Sequence, residues 1–295
     1  MTALAGAPSL PSLLVGHWQA DPALDVAALA YAGAYLWGTV RARARWPLRR
    51  SACFAAGLAL ALVALQSGVA AYDERLLSAH MLQHMLLLLA APLLLLAGRP
   101  LILALRALPA RRRAALAGLL GRARPVLHPY ACLGVFTVVL VGTHVSAFYE
   151  ASLRHPALHA VEHALYLGAG LAFWWPLLDG DPVPAHRLGG LGRLVYLLAS
   201  MPAMALVGAY LNRAPAVVYP SYAAPARALG ISAVVDQQQA GAIMWVGGST
   251  FMIAVGLWVA TAALVAEERR QRARERHETG DARRPLAPRL GKPVP

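Results

Sequence analysis

Apolar positions in this chain fall in long, nearly unbroken runs. They show neither the strict alternation of a half-buried strand nor the one-face periodicity of a water-exposed helix. A helix needs roughly 20 mostly apolar residues to cross the hydrocarbon of a bilayer. Seven runs reach that length, over 23–40, 51–71, 76–98, 126–148, 157–178, 191–211 and 239–266. Pro92, Pro202 and the Gly247-Gly248 pair fall inside three of them. Membrane helices tolerate such residues because neighbouring helices and polar groups satisfy the freed backbone. The predicted fold is therefore all-α, a polytopic membrane helix bundle of about seven transmembrane helices.

The runs follow one another too closely to leave room for a soluble domain. Three parts are expected: a periplasmic N-terminal segment (1–22), the membrane domain (23–266) and a basic cytoplasmic tail (267–295). The tail continues the last helix as a charged stretch and ends in Pro-rich, disorder-prone sequence. The residues before Ala23 lack the basic-then-apolar order of a cleavable signal peptide.

Composition agrees, with 58% apolar and 14% charged residues against about 45–50% and about 25% in soluble domains. A disordered chain and a disulfide scaffold are poor fits. Cys53 and Cys132 lie within apolar runs, where a small buried hydrophobe is the expected role. The net charge of +13 could suggest nucleic acid, but its distribution says otherwise. Of the 27 Lys and Arg residues, 23 lie in the tail and in the loops after the first, third and fifth runs. Arg75, Arg154, Arg213 and Arg227 are the remainder. The positive-inside rule then places the C-terminus in the cytoplasm and the N-terminus outside. A multi-pass membrane protein follows, with lipid and no nucleic acid as its surroundings.

Histidine has the opposite asymmetry. His17, His80, His84, His144, His155, His159 and His163 fall on the outer side, and His128, His186 and His277 on the inner side. His80 and His84 are four residues apart, as are His159 and His163, so each pair shares one helix face. Glu162 lies in the same stripe as His159, His163 and Tyr166, Met81 and Met85 flank His84, and Asp236 and Met244 open the seventh run. Any one member has an ordinary reading: a lone membrane histidine commonly links helices, one HxxxH arises by chance, and methionine packs cores. An ionisable residue inside a span is different, because it is costly and normally faces a partner or cavity. Together these residues at one depth point to a metal or cofactor site. Imidazole with thioether suits copper, Cu(I) above all, while imidazole with carboxylate also suits zinc. Haem fits less well, since its axial pairs would be spread over both leaflets. Neutral imidazole is the ligating form, so binding should weaken as pH falls through the histidine range.

Four ordered motifs, HMLQHMLLLLAAPLLLL (80–96), HPALHAVEHALYLGAGLAFWWPLL (155–178), VVYPSY (217–222) and DQQQAGAIMW (236–245), carry a family resemblance. The chain resembles the polytopic CtaG family of cytochrome c oxidase (caa-type) assembly factors. The resemblance implies a seven-span accessory protein, not an enzyme, that helps mature a haem–copper oxidase at the copper-insertion stage. Oxidase subunits or other assembly factors would be its partners. The family's characteristic positions fall here on His80, His84, His159, Glu162, His163, Trp174, Trp175, Pro176, Tyr219, Pro220, Asp236, Gln237, Gln238, Gly241, Met244 and Trp245.

The metal ligands expected from spacing are His80, His84, His159 and His163, with His144, Met81 and Met244 beside them. Glu162 and Asp236 would orient ring N–H groups. Trp174-Trp175-Pro176 reads as an interfacial belt ending a helix, and Tyr219-Pro220-Ser221-Tyr222 as either a lid over the histidines or an interfacial turn. Two alternatives stand beside the assembly factor. One is an intramembrane zinc hydrolase, although no HExxH is present. The other is a metal-free scaffold for oxidase subunits. A His-lined proton-coupled transporter fits less well, because the polar groups do not continue to the inner half.

Overall fold

A computed structural model describes residues 8–42, 45–178 and 188–282, and no strand occurs among them. The principal helices are α1 (Pro22–Arg41), α2 (Leu48–Gln66), α3 (Leu77–Met85), α4 (Ala91–Ala97), α5 (Pro129–Val145), α6 (Pro156–Trp174), α7 (Gly190–Arg213), α8 (Ala233–Ala242) and α9 (Gly248–Ala282). Leu86–Ala90 joins α3 to α4 as a widened π turn, and Ile243–Gly247 joins α8 to α9 in the same way. Five stretches are long and apolar enough to cross a membrane: Pro22–Arg41, Leu48–Tyr72, Leu77–Ala107, Gly190–Arg213 and Ala233–Ala262. The other two predicted runs correspond to α5, with 17 residues, and α6, with 19.

Local chemistry sets several boundaries. At α1, Asp21 Oδ1 accepts from the Ala23 and Leu24 amides at 2.8 and 3.2 Å, and Pro22 fills the first helical position, where no N–H is needed. The run 126–148 is cut short at Val145 because Ser146 is extended and caps a separate helix, Ala147–Ser152, by accepting from the Phe148 amide. The last run begins earlier than its apolar residues indicate, so Asp236, Gln237 and Gln238 are helical in α8. At the other end α9 carries the charged stretch to Ala282. The expectation for the Pro-rich end of the tail, and the position of His186, lie outside the described residues.

Apolar side chains occur on both surfaces of the bundle. Phe136, Leu140, Phe173, Met204 and Met244 are sealed in the core, while Leu29, Val138, Leu206 and Leu257 point outward. Where the surroundings are as apolar as the core, close packing of small residues and interhelical polar bonds hold helices together. Two crossings depend on glycine. A Cβ on Gly170 of α6 would overlap the Leu88 carbonyl and the Pro92 ring. Pro92 has no N–H to give that carbonyl an α-helical partner, and α6 lies directly against the π turn. Gly208 of α7 and Gly241 of α8 each leave room for the other's carbonyl oxygen. Trp174 corrects the interfacial reading of its motif: it is fully buried against Phe173 and Phe251.

Candidate metal centre

α2 ends, α3 starts, α5 ends, α6 starts, α7 ends and α8 starts at one end of the bundle. There the structure gathers five of the predicted histidines. Ring centroids are 4.3 Å apart for His80–His84 and for His159–His163, 5.1 Å for His80–His159, 6.4 Å for His80–His163 and 5.9 Å for His84–His144. His17 instead meets the edge of Tyr72, His155 is exposed at the start of α6, and His128 caps α5.

Donor atoms converge in two sets. One ligand atom from each of His80, His84 and Glu162 lies within 4.8 Å of the others, and all three residues are buried. His80 Nε2 is 2.8 Å from His84 Nε2, and each is 3.7 Å from a Glu162 oxygen. Two atoms bound at about 2.0–2.1 Å to one tetrahedral ion would stand about 3.3–3.4 Å apart, inside the range spanned by these separations. Asp73, His159 and His163 form the second set, again within 4.8 Å.

Hydrogen bonding determines which nitrogen of each ring is free. The Tyr222 hydroxyl donates to the Asp73 carbonyl at 2.9 Å, so its 2.8 Å contact with His80 Nδ1 must be an N–H donated by the ring. Burial holds the Tyr222 pKa well above the usual phenol value, so the hydroxyl keeps its proton. His80 Nε2 is thus left as the acceptor of the 2.8 Å hydrogen bond from His84 Nε2 and lies 3.7 Å from Glu162, while His84 carries its own lone pair on the unpartnered Nδ1. Gln83 Nε2 donates to the Ala64 carbonyl and to Asp73 Oδ2, both at 2.9 Å. Its Oε1 is then the acceptor for His163 Nε2–H at 2.8 Å, which leaves the lone pair on His163 Nδ1. His144 Nδ1 donates to the Leu140 carbonyl at 2.8 Å, leaving Nε2 bare.

Several of the remaining polar atoms have no partner. His84 Nδ1, His144 Nε2, His159 Nε2 and Glu162 Oε1 are buried without a hydrogen bond. Such atoms are uncommon in native interiors and each needs an explanation. A cation beside the lone pairs would satisfy those that face it, so the residues present fit a metal ion. Glu162 is tied through Oε2 to the Ser152 hydroxyl at 2.7 Å, and its Oε1 faces His84. It stands among the candidate ligands instead of behind them. Asp73 lies in the turn before α3, where burial pushes its carboxyl up to about 7 against the opposing hydrogen bond from Gln83.

Asp236 has a different task from orienting a ring. It accepts from the Leu77 amide at 2.6 Å, from the Ser78 amide at 3.3 Å and from the Ser78 hydroxyl. Leu76, at the N-cap of α3, cannot cap the helix itself, so a carboxylate from α8 supplies the cap. Next to it, Gln237 accepts from the Val218 amide at 2.7 Å and donates to the Ala216 carbonyl at 3.1 Å, securing the loop that carries Tyr219 and Tyr222. That loop covers the histidines: Tyr219 stacks on Tyr149 at 4.3 Å and donates to the His144 carbonyl at 2.9 Å. Met81 and Met244 lie wholly buried in the main apolar core.

Asp73, Gln83, Tyr149 and Ser152 were not among the expected site residues. Gln83 was detectable as a polar residue between the two histidines of a Leu-rich run. Nothing local distinguishes Tyr149 or Ser152, which reach the site through the break after α5.

Helices apolar inside and out, with a sealed imidazole–carboxylate cluster at one end, define a multi-pass membrane protein with a candidate metal centre. The comparison with known families agrees. The chain belongs to the Caa3_CtaG family of cytochrome c oxidase caa3 assembly factors, whose sequence profile matches residues 33–265. Uncharacterized protein Mb0105 of Mycobacterium bovis and MT0111 of Mycobacterium tuberculosis are each 29% identical over 241 residues. ML1998 of Mycobacterium leprae is 27% identical over the same length. Each match takes in 77% of this chain and 36% of the relative, so the chain spans about a third of the length of these relatives. No solved structure matches it.

Proposed function

We propose that the protein is a non-enzymatic maturation factor for a haem–copper oxidase in the bacterial inner membrane, and that it holds copper for insertion at the outer face. Seven spans, an outside N-terminus and a cytoplasmic C-terminus belong to this reading, supported by the five long apolar stretches, by α5 and α6 beside them and by the arginine distribution. The observation that carries it is the fully buried His80–His84–Glu162 set, with Glu162 Oε1 and His84 Nδ1 unpaired and one ring tautomer set by Tyr222. Ionised Glu162 contributes one negative charge. A monovalent ion leaves the sealed site neutral, whereas a divalent ion leaves a buried positive charge, which is costly. Charge balance therefore favours Cu(I), and imidazole ligands accept it. His80 and His84 would hold the ion, Glu162 would balance its charge, and Tyr222 would keep His80 Nε2 unprotonated.

Two histidines with one carboxylate also make up known hydrolytic zinc sites, and this donor set favours the hydrolase as the second reading. One comparison separates the two and tests the scaffold reading as well. In a strain lacking this protein, the wild type should restore oxidase activity and oxidase copper content, and the His84→Ala/Glu162→Gln double variant should restore neither while accumulating in the membrane. Full restoration by that variant would refute the metal role. Zinc in the purified protein, with ester or amide hydrolysis lost in the same variant, would establish the hydrolase.

A further inference from the structure

The spacing of the histidines predicts one shared site, but the donor atoms divide into two sets with different access to solvent. His80, His84 and Glu162 are each 0% exposed. In the other set Asp73 is 4% and His159 8% exposed, and His163 is half-buried. Beside that set Glu74, whose side chain is 63% exposed, places Oε1 3.9 Å from His159 Nδ1. His159 Nε2 faces Asp73 Oδ2 at 3.8 Å and has no hydrogen-bond partner. The two sets meet at His80, whose ring centroid is 5.1 Å from His159 and 4.3 Å from His84.

We propose that Asp73, His159 and His163 form a second, outer metal site, through which a copper ion reaches the sealed His80–His84–Glu162 site by ligand exchange. This inference rests on the copper reading above and adds to it a second site and an order of loading. Glu74 supplies an exposed negative charge at the mouth. The ion is held first by the His159 and His163 imidazoles with the Asp73 carboxylate. It then exchanges His159 for His80, whose Nε2 lone pair already faces the inner set, where it accepts from His84 Nε2. Exchange trades imidazole for imidazole and carboxylate for carboxylate, so no electron need be supplied, and the proton that His84 Nε2 shares with His80 passes to the unpartnered Nδ1 of the His84 ring. Gln83 binds two members of the outer set, because its one amide bonds to both Asp73 and His163, and it fixes them to α3, where it adjoins His84 of the inner set.

Full-length protein in detergent, loaded with Cu(I) under a reductant and desalted, is the system for the test. Elemental analysis gives the ions retained, and quenching of tyrosine and tryptophan fluorescence gives the loading rate. Wild type should retain two ions. The isosteric Asp73→Asn variant should retain one and load it at least tenfold more slowly, and His84→Ala should retain one loaded at the wild-type rate. His159→Gln should reproduce Asp73→Asn, and thermal melting of each variant guards against misfolding as the cause. If wild type retains one ion and Asp73→Asn neither loses nor slows it, the outer site is refuted and the copper reading stands. If wild type retains two but Asp73→Asn loads the inner site at the normal rate, the order of loading is refuted. If wild type retains none, the copper reading itself fails.

Discussion

Three of the imidazoles are held in one tautomer by groups that can only accept from the ring: a backbone carbonyl at His144, a hydroxyl already donating elsewhere at His80 and an amide oxygen at His163. Contacts of this kind, one bond away from a ligand, raise its basicity and set its orientation, and losing one typically costs about 10–100-fold in metal affinity. Tyr222→Phe removes the acceptor of His80 Nδ1–H and leaves the ring's position unchanged. Copper affinity measured by competition with a chromophoric chelator should fall by about that factor, with the helical circular dichroism unaltered. Unchanged affinity would show that His80 is not a ligand.

At the scale of the helices, the centre depends on where α6 crosses the π turn after α3. Gly170 is two turns along α6 from His163, and its missing side chain lets α6 approach Leu88 and Pro92. Gly170→Val should force the helices apart at a cost of about 1–3 kcal/mol and carry His159 and His163 away from His80. The expected result is a lower melting temperature together with reduced copper retention. Gly168→Val lies on the same helix, where an added Cβ meets nothing, and it should change neither. The HxxxH pairs and Glu162 were legible as one face of each helix from their spacing, because helix geometry makes residues four apart neighbours. Asp236 was legible as a buried carboxylate at the right depth but not as the cap of α3. Its partners, Leu77 and Ser78, lie 159 and 158 residues away in the chain, and nothing near Asp236 specifies them.

For the whole molecule, the arginine asymmetry and the site's position make one prediction. The end that carries the histidines should face the periplasm. In a background with Cys53 and Cys132 replaced, Ser232→Cys should react with a membrane-impermeant maleimide in intact cells, and Ala110→Cys should react only after lysis. Both positions are exposed. The reverse pattern would invert the topology and remove the periplasmic copper reading.

The residue pattern by itself determined the all-helical membrane class, the order of the helices, the uneven distribution of arginine and the two paired-histidine faces. These follow from properties local to a run of sequence: its length, its apolar content and the helical repeat. Tertiary structure alone decided that the donors split into an outer and an inner set, that Glu162 joins the donors while Asp236 caps a helix, and that Asp73, Gln83 and Tyr222 govern the rings. Those outcomes depend on which faces meet across the bundle, and contacts between residues up to 159 positions apart arise from packing, which no single stretch of the chain encodes.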